Sequence, residues 1–364
     1  MRPGFLGRID AEILQALDAV TADCLRAKQA SFLIRQGHTE EASAILKELR
    51  SRYDARPDAR ISCWLNLVEG LSYLFAGVEG NPADKFSRAL ALATAAKLSS
   101  ASALAAAWLA HIKFSSLDFQ GVSKFVKLSL ESAGDDDHQA LARADLVGAI
   151  SLHLANRYDL AKDWYAAAHR HAVAEGDEAT ISALMHNVTC MGVANLRQRT
   201  LCNTPSLHSS PNARLEAEST TSYDELIGTQ SLSTWVPILK AQAASLTGKP
   251  TEALRIYESN ISVARDQGME RVLSYMRADI AWCHAQVGNF QSAHQNSEDA
   301  IANLTAATLV DDKAATHQRL ADTFRLLGSL DKATEQDQQA KLAWDEFVKL
   351  QQETIHLLGT TSPK

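Results

Sequence analysis

This sequence encodes an all-α solenoid of about eight helix-turn-helix repeats; its composition, the spacing of its small residues and the chemistry of its turns each lead there. Of 364 residues, 46% are apolar, and only eight are proline and 17 glycine. Ala and Leu dominate, with β-branched residues sparse between them, a bias toward helix along the whole chain. This length suits two or three ordinary domains or one long repeat array, and the internal periodicity decides for the array. A small residue deep in a helix recurs as Ala30, Gly70, Ala110, Ala149, Ala241, Ala281 and Ala321, at spacings of 40, 40, 39, 92, 40 and 40. The long gap holds a fifth repeat, with Thr189 or Cys190 as its small residue, and about a dozen extra residues.

Seven positions after each small residue comes a turn. It opens on Gly37, Asn156, Gly248, Gly288 and Gly328, with Leu117 in the same place in the third repeat. Gly or Asn there fits a helix C-terminus, where the backbone turns left-handed and a Cβ is crowded. Five residues later stands a second small or slim residue: Ala42, Val122, Ala161, Ala253, Ala293 and Ala333. It lets the second helix of a repeat approach the first closely. Pro250 sits where a helix first turn tolerates it.

Taken in order, residues 1–25 read as a capping helix, with Ile9, Ile13, Leu14, Leu17 and Val20 at helical spacing. Repeats one to five span 20–197. The second carries about three extra residues, Val78 to Gly80, before Asn81 and Pro82; the fifth lacks a clean second helix after Leu196. The Ser, Thr, Pro and Asn cluster from Thr200 to Pro211, followed by polar residues to Thr221, marks an irregular insertion over 198–222. Repeats six to eight span 223–350, and the closing helix with Trp344, Phe347 and Leu350 caps the other end. Residues 351–364 form a tail, frayed from Gly359. The whole array is needed because one helix pair cannot bury its apolar face alone.

In Gly70 and Tyr73, and in Ile280, Ala281, Gly288, Phe290, Ala293 and Ala300, the chain resembles the tetratricopeptide repeat family over roughly residues 20–350. Its period of about 40 residues matches the long-helix variant found in sensor domains of bacterial regulators. The resemblance implies a right-handed superhelix whose first helices line a concave groove. Groove positions fall about 13, 10, 6 and 3 residues before each turn, on one helical face. That register assigns Trp64, Leu67, Leu71, Leu74, Leu104, His111, Phe114, Arg143, Ile150, His153, His186, Trp235, Ile238, Gln242, Tyr275, Trp282, Asp322 and Arg325 to the groove. Family members that clamp a terminal carboxylate use Lys, Asn and Arg at these positions; here those are mostly missing, so that clamp is not expected. Aromatic residues on a concave face either anchor a peptide or fill the core of a tightly wound array.

Several classes of function find no support. Net charge is −7, and the basic stretch Arg50, Arg52, Arg56, Arg60 is interleaved with Asp54 and Asp58, so no nucleic-acid footprint is expected. Cys24, Cys63, Cys190, Cys202 and Cys283 form neither a disulfide framework nor a zinc site. No signal peptide or membrane span is evident, which points to a cytoplasmic protein. His111, His153 and His186 sit on neighbouring helices whose axes lie about 8–10 Å apart, out of register for one metal. Asp135, Asp136 and Asp137 read as a helix cap. No nucleotide-binding, nucleophile-elbow or zinc-protease motif is in place, and no cofactor is expected. The expected function is a non-enzymatic adaptor that binds a peptide segment of a partner protein in the groove. The alternative is a regulatory sensor whose array binds a small peptide or metabolite and changes curvature. Trp and Leu on such a groove also leave room for self-association.

Overall fold

A computed structural model describes residues 4–202, 235–266 and 272–364. Its described residues form 16 α-helices and no strand. Helix α1 (Gly4–Gln15) precedes four consecutive antiparallel pairs: α2 (Ala19–Arg35) with α3 (Thr39–Tyr53), α4 (Ala59–Phe75) with α5 (Pro82–Ala95), α6 (Ser99–Phe114) with α7 (Phe119–Ser132), and α8 (His138–Leu154) with α9 (Tyr158–Glu175). Helix α10 (Glu178–Cys202) is followed by three more pairs: α11 (Trp235–Leu246) with α12 (Pro250–Asp266), α13 (Leu273–Gln286) with α14 (Phe290–Ala302), and α15 (Val310–Leu326) with α16 (Leu330–Leu358). First helices also pack on the next first helix, as α6 does on α8 and α13 on α15.

The small residues explain the pairing. Ala30, Ala110, Ala149, Ala241, Ala281 and Ala321 are all fully buried, and so are Ala42, Val122, Ala161, Ala253 and Ala293 on the second helices. At Gly70 the ring of Phe86 from α5 lies where a side chain would be, 2.5 Å from the Cβ position to Cε1. The turns are left-handed as the sequence requires: φ is 88° at Gly37, 75° at Gly328 and 59° at Asn156. Leu117 (φ 56°) and Lys97 (φ 55°) take the same conformation without being glycine. Several helix starts are fixed by side-chain caps. Asp18 accepts from Thr21 N, Asp58 from Arg60 N and Asn81 from Ala83 N, with Pro82 in the first turn of α5.

Local readings shift in several places. The N-terminal segment is not one helix: α1 ends at Gln15, Leu17 is 100% exposed, and Val20 belongs to α2. What docks α1 is Phe5, stacked on Phe32 with centroids 4.5 Å apart. Helix α10 runs six residues past Leu196, so residues 198–202 are helical, with Gln198 and Leu201 buried; residues 203–222 of the expected insertion lie outside the described residues. Asp137 caps no helical N–H, but accepts from Gly134 N and tightens the turn before α8. Arg50 and Arg52 lie in α3 and pair with Glu69, and with Asp23 and Glu48. Helix α16 continues to Leu358, and the segment after it is tied down: Lys364 Nζ donates to the Ala133 carbonyl at 2.6 Å.

Distant parts of the chain meet at two seams. In the first, the segment between α9 and α10 returns to α1 and α2. Glu175 pairs with Arg8 (2.9 Å) and Lys28 (2.8 Å), and buried Asp177 pairs with buried Arg35 (2.7 Å). In the second, the far end of α16 lies on α7 and α8, where Gln351 Nε2 donates to the Leu154 carbonyl at 2.7 Å. Beside it Arg197 of α10 forms 2.6 Å ion pairs with both Asp311 and Asp312 of α15. No helix among the described residues is long and apolar enough to cross a membrane.

Candidate functional site

The first five first-helices, α2, α4, α6, α8 and α10, face one another across a small pocket. Helix α4 contributes Trp64, Leu67 and Leu71, and α6 contributes Leu104 and Trp108. Helix α8 contributes Gln139 and Arg143. The rest comes from the first seam: Ser31, Arg35, Asp177 and Thr180. The enclosed space is about 10 Å³, the room one water needs.

One wall of this pocket is apolar and the other is charged. On the charged side Arg35 Nη1 donates to Asp177 Oδ2 (2.7 Å) and Thr180 Oγ1 (3.0 Å). Asp177 also caps α10 by accepting from Thr180 N at 3.0 Å. Arg143 is 6% exposed, and its guanidinium lies over the Trp108 ring, 4.1 Å from the centroid. Among the described residues no hydrogen bond or ion pair reaches that guanidinium, and its Nε is fully buried without a partner. Gln139, one helical turn earlier on α8, buries an Nε2 that is likewise unpartnered. Desolvation, with the Arg35 charge as a second cause, pulls the Arg143 guanidinium down to about 9.

The groove residues expected from the sequence separate into groups. Trp64, Leu67, Leu71 and Arg143 converge on the pocket. Leu104 joins them, and the remaining expected groove residues do not line this pocket. His111 lies edge-on to Trp108 at 5.7 Å, and Phe114 edge-on to Phe119 at 6.4 Å. His153 is buried with its Nδ1 3.1 Å from the Tyr165 hydroxyl, and burial pushes it down to about 4. His186, equally depressed by burial, lies 3.3 Å from Cys190 Sγ. In the later repeats Trp235 is half-buried against the core around Tyr257, and Gln242 is buried. Tyr275 lies under Arg197 (4.8 Å) and Trp282 against Arg319 (4.0 Å). Asp322 and Arg325 pair with each other at 2.8 Å, and Arg325 also with Asp337.

Arg35, Trp108, Gln139, Asp177 and Thr180 were absent from the sequence-derived groove. Two had a local signal: Gln139 precedes Arg143 by one turn on the same face, and Asp177 three before Thr180 is a helix-start pattern. Arg35 had none, because its partner lies 142 residues away. No protein-family model matches the chain, and a search of curated proteins gives no match either.

Proposed function

We propose that this chain is a non-enzymatic interaction module of the long-helix tetratricopeptide type, a right-handed superhelical array that receives a short segment of a partner protein at the pocket between its first five first-helices. It works in the cytoplasm. The observation that carries this reading is the convergence of half-buried Trp64 with two unsatisfied donors, Arg143 and Gln139, in one concave place. An aromatic anchor beside buried polar groups that lack partners is what a recognition pocket offers a ligand. Among the remaining expected groove residues Ile150, His153, His186, Ile238, Gln242 and Tyr275 are buried within the chain, which leaves room at the pocket for a short partner segment.

Selection from a displayed random-peptide library tests it, with the wild-type chain and a Trp64→Ala variant as baits. Peptides enriched by wild type and lost on Trp64→Ala support the pocket. Peptides held equally by both place the interface elsewhere and overturn it. A second reading, a sensor of a small peptide or metabolite, is favoured by the pocket's size and by the Arg35–Asp177 pair on its wall, through which an occupant would bear on the first seam.

A further inference from the structure

We infer that the turn edge of the last two helix pairs, centred on Phe290 and Leu330, is a second docking surface, and that its occupant is an amphipathic helix of a partner protein with apolar residues seven apart and an acidic residue between them. None of its residues lines the pocket, so it stands independently of the pocket's role.

Four second helices begin on a large apolar residue: Phe119 on α7, Tyr158 on α9, Phe290 on α14 and Leu330 on α16. The first two are covered and the last two are open. Phe119 is 3% exposed and Tyr158 is half-buried, against 55% at Phe290 and 67% at Leu330. The chain's own helix end lies over the first two. The last turns of α16 cross the edge of both pairs: Gln351 donates to the Leu154 carbonyl just before the α8–α9 turn, Glu353 accepts from Gln120 at 2.5 Å, and Ser123 Oγ donates to the Leu357 carbonyl at 3.3 Å. Leu350 and Leu357 pack against the same core as Phe119 and Tyr158. Seven residues of helix span about 10.5 Å, close to the roughly 8–10 Å between neighbouring helices, so one helix face reaches two successive pairs.

The start of α14 repeats that seat. Asn289 accepts from Ser292 N as Asp118 accepts from Gly121 N, and Phe290 and Gln291 then follow as Phe119 and Gln120 do. The same cap and the same two residues present an aromatic ring and an amide donor alike. Ala285 stands where Phe114 lies edge-on to Phe119, which leaves the Phe290 seat wider. Val287 and Leu326 flank it, 46% and 44% exposed. Single exposed apolar residues are ordinary, but a line of them in register on two neighbouring pairs marks an interaction surface. The seated helix end shows what fits there: leucines at the spacing of Leu350 and Leu357 for Phe290 and Leu330, and an acid in the place of Glu353 for Gln291. The chain's own helix end of this pattern is already seated on α7 and α8, so the occupant comes from a different protein.

The probe is a fluorescein-labelled peptide with the sequence of residues 340–358, titrated with the full chain and followed by anisotropy. Saturable binding is expected. It weakens at least tenfold when the chain carries Phe290→Ser/Leu330→Ser, because two apolar anchors are lost. The same loss is expected when the peptide carries Leu350→Asp/Leu357→Asp, and a loss of about fivefold when it carries Glu353→Ala. Phe290 and Leu330 are exposed, so the chain variant keeps its fold, which helical circular dichroism and an unchanged melting point verify. A peptide that instead displaced the chain's own α16 end would bind this variant as well as wild type. No saturable binding, or binding left unchanged by the chain variant or by either peptide variant, overturns the inference. Sedimentation velocity on the chain alone completes the test: a dimer that Phe290→Ser/Leu330→Ser dissolves assigns the surface to a second copy and overturns it too.

Discussion

The last three helix pairs are held by a buried polar cluster that makes a sharp prediction about stability. Asp279 of α13 is 0% exposed and Arg319 of α15 is 3% exposed, with Nε 2.8 Å from Asp279 Oδ1. Ser245 of α11 donates to Asp279 Oδ1 (2.6 Å) and accepts from Arg319 Nη2 (2.8 Å), while Tyr257 of α12 donates to Asp279 Oδ2 (2.7 Å). One carboxylate thus joins four helices. Replacing Asp279 by Leu leaves the Arg319 charge buried without a counter-ion, a cost of about 3–5 kcal/mol. It also leaves two hydroxyls without their acceptor, about 1 kcal/mol each. That is most of the stability of an ordinary domain. The double variant Asp279→Leu/Arg319→Met removes both charges and is expected to lose only about 2 kcal/mol. The coupling between the two sites is therefore about 3 kcal/mol or more, read from a double-mutant cycle by urea denaturation followed at a helical circular-dichroism band. A coupling below about 0.5 kcal/mol would show that the pair contributes nothing beyond shape, and would sink the argument.

Three further outcomes are expected. Asp145 is buried on α8, and burial pushes its carboxyl up to about 8. The folded state then keeps a proton that the unfolded chain releases above its ordinary 3.8. Stability falls by roughly 1.4 kcal/mol per pH unit as pH rises between those values and levels off above the folded one; in Asp145→Asn that slope disappears, and parallel urea titrations at pH 5, 7 and 9 measure the difference. Gly70→Ala drives a methyl into the Phe86 ring and costs about 2 kcal/mol of overpacking; because Phe86 also stacks on Trp108 at 5.9 Å, the tryptophan emission shifts as well, and an unchanged spectrum and melting point refute the contact. Lys97 is exposed and left-handed, so Lys97→Gly relieves strain and stabilises by about 1 kcal/mol, seen as a higher denaturation midpoint.

Much of this fold was legible because its constraints are local. A residue that must be left-handed, or must let another helix within contact, leaves its mark at its own position. That is why Gly37, Gly248, Gly288 and Gly328 mark the turns, and why Gly70 and Ala281 mark close helix approaches. The end of α10 was misread because the polar cluster beginning at Thr200 resembles a loop, while Leu201 is buried on a helix that reaches Cys202. The site was legible only in part for a different reason. Which first helix faces which depends on the rotation accumulated from pair to pair, and no short pattern encodes that sum. Trp64, Leu67, Leu71, Leu104 and Arg143 do line one pocket, but nothing near Arg35 announces Asp177, and nothing near Gln351 announces Leu154. Tyr275 is fully buried beneath Arg197, and half-buried Trp282 lies against Arg319.

The two seams bear differently on the choice between adaptor and sensor. A change of curvature must break contacts between distant helices. At the second seam those include two buried ion pairs of Arg197 and the Gln351 bond to Leu154, all remote from the pocket. Losing one partner of such a pair costs several kcal/mol, more than the 1–3 kcal/mol that couples typical allosteric sites. At the first seam Arg35 and Asp177 are themselves pocket walls. An occupant whose acceptor reaches Arg35 would compete with Asp177 for that guanidinium. Such an occupant would itself offset part of the cost of parting the Arg35–Asp177 pair. Under the sensor reading, the movement starts where α1 and α2 meet the α9–α10 segment and leaves the last three pairs unchanged. Under the adaptor reading, that seam stays closed in both states.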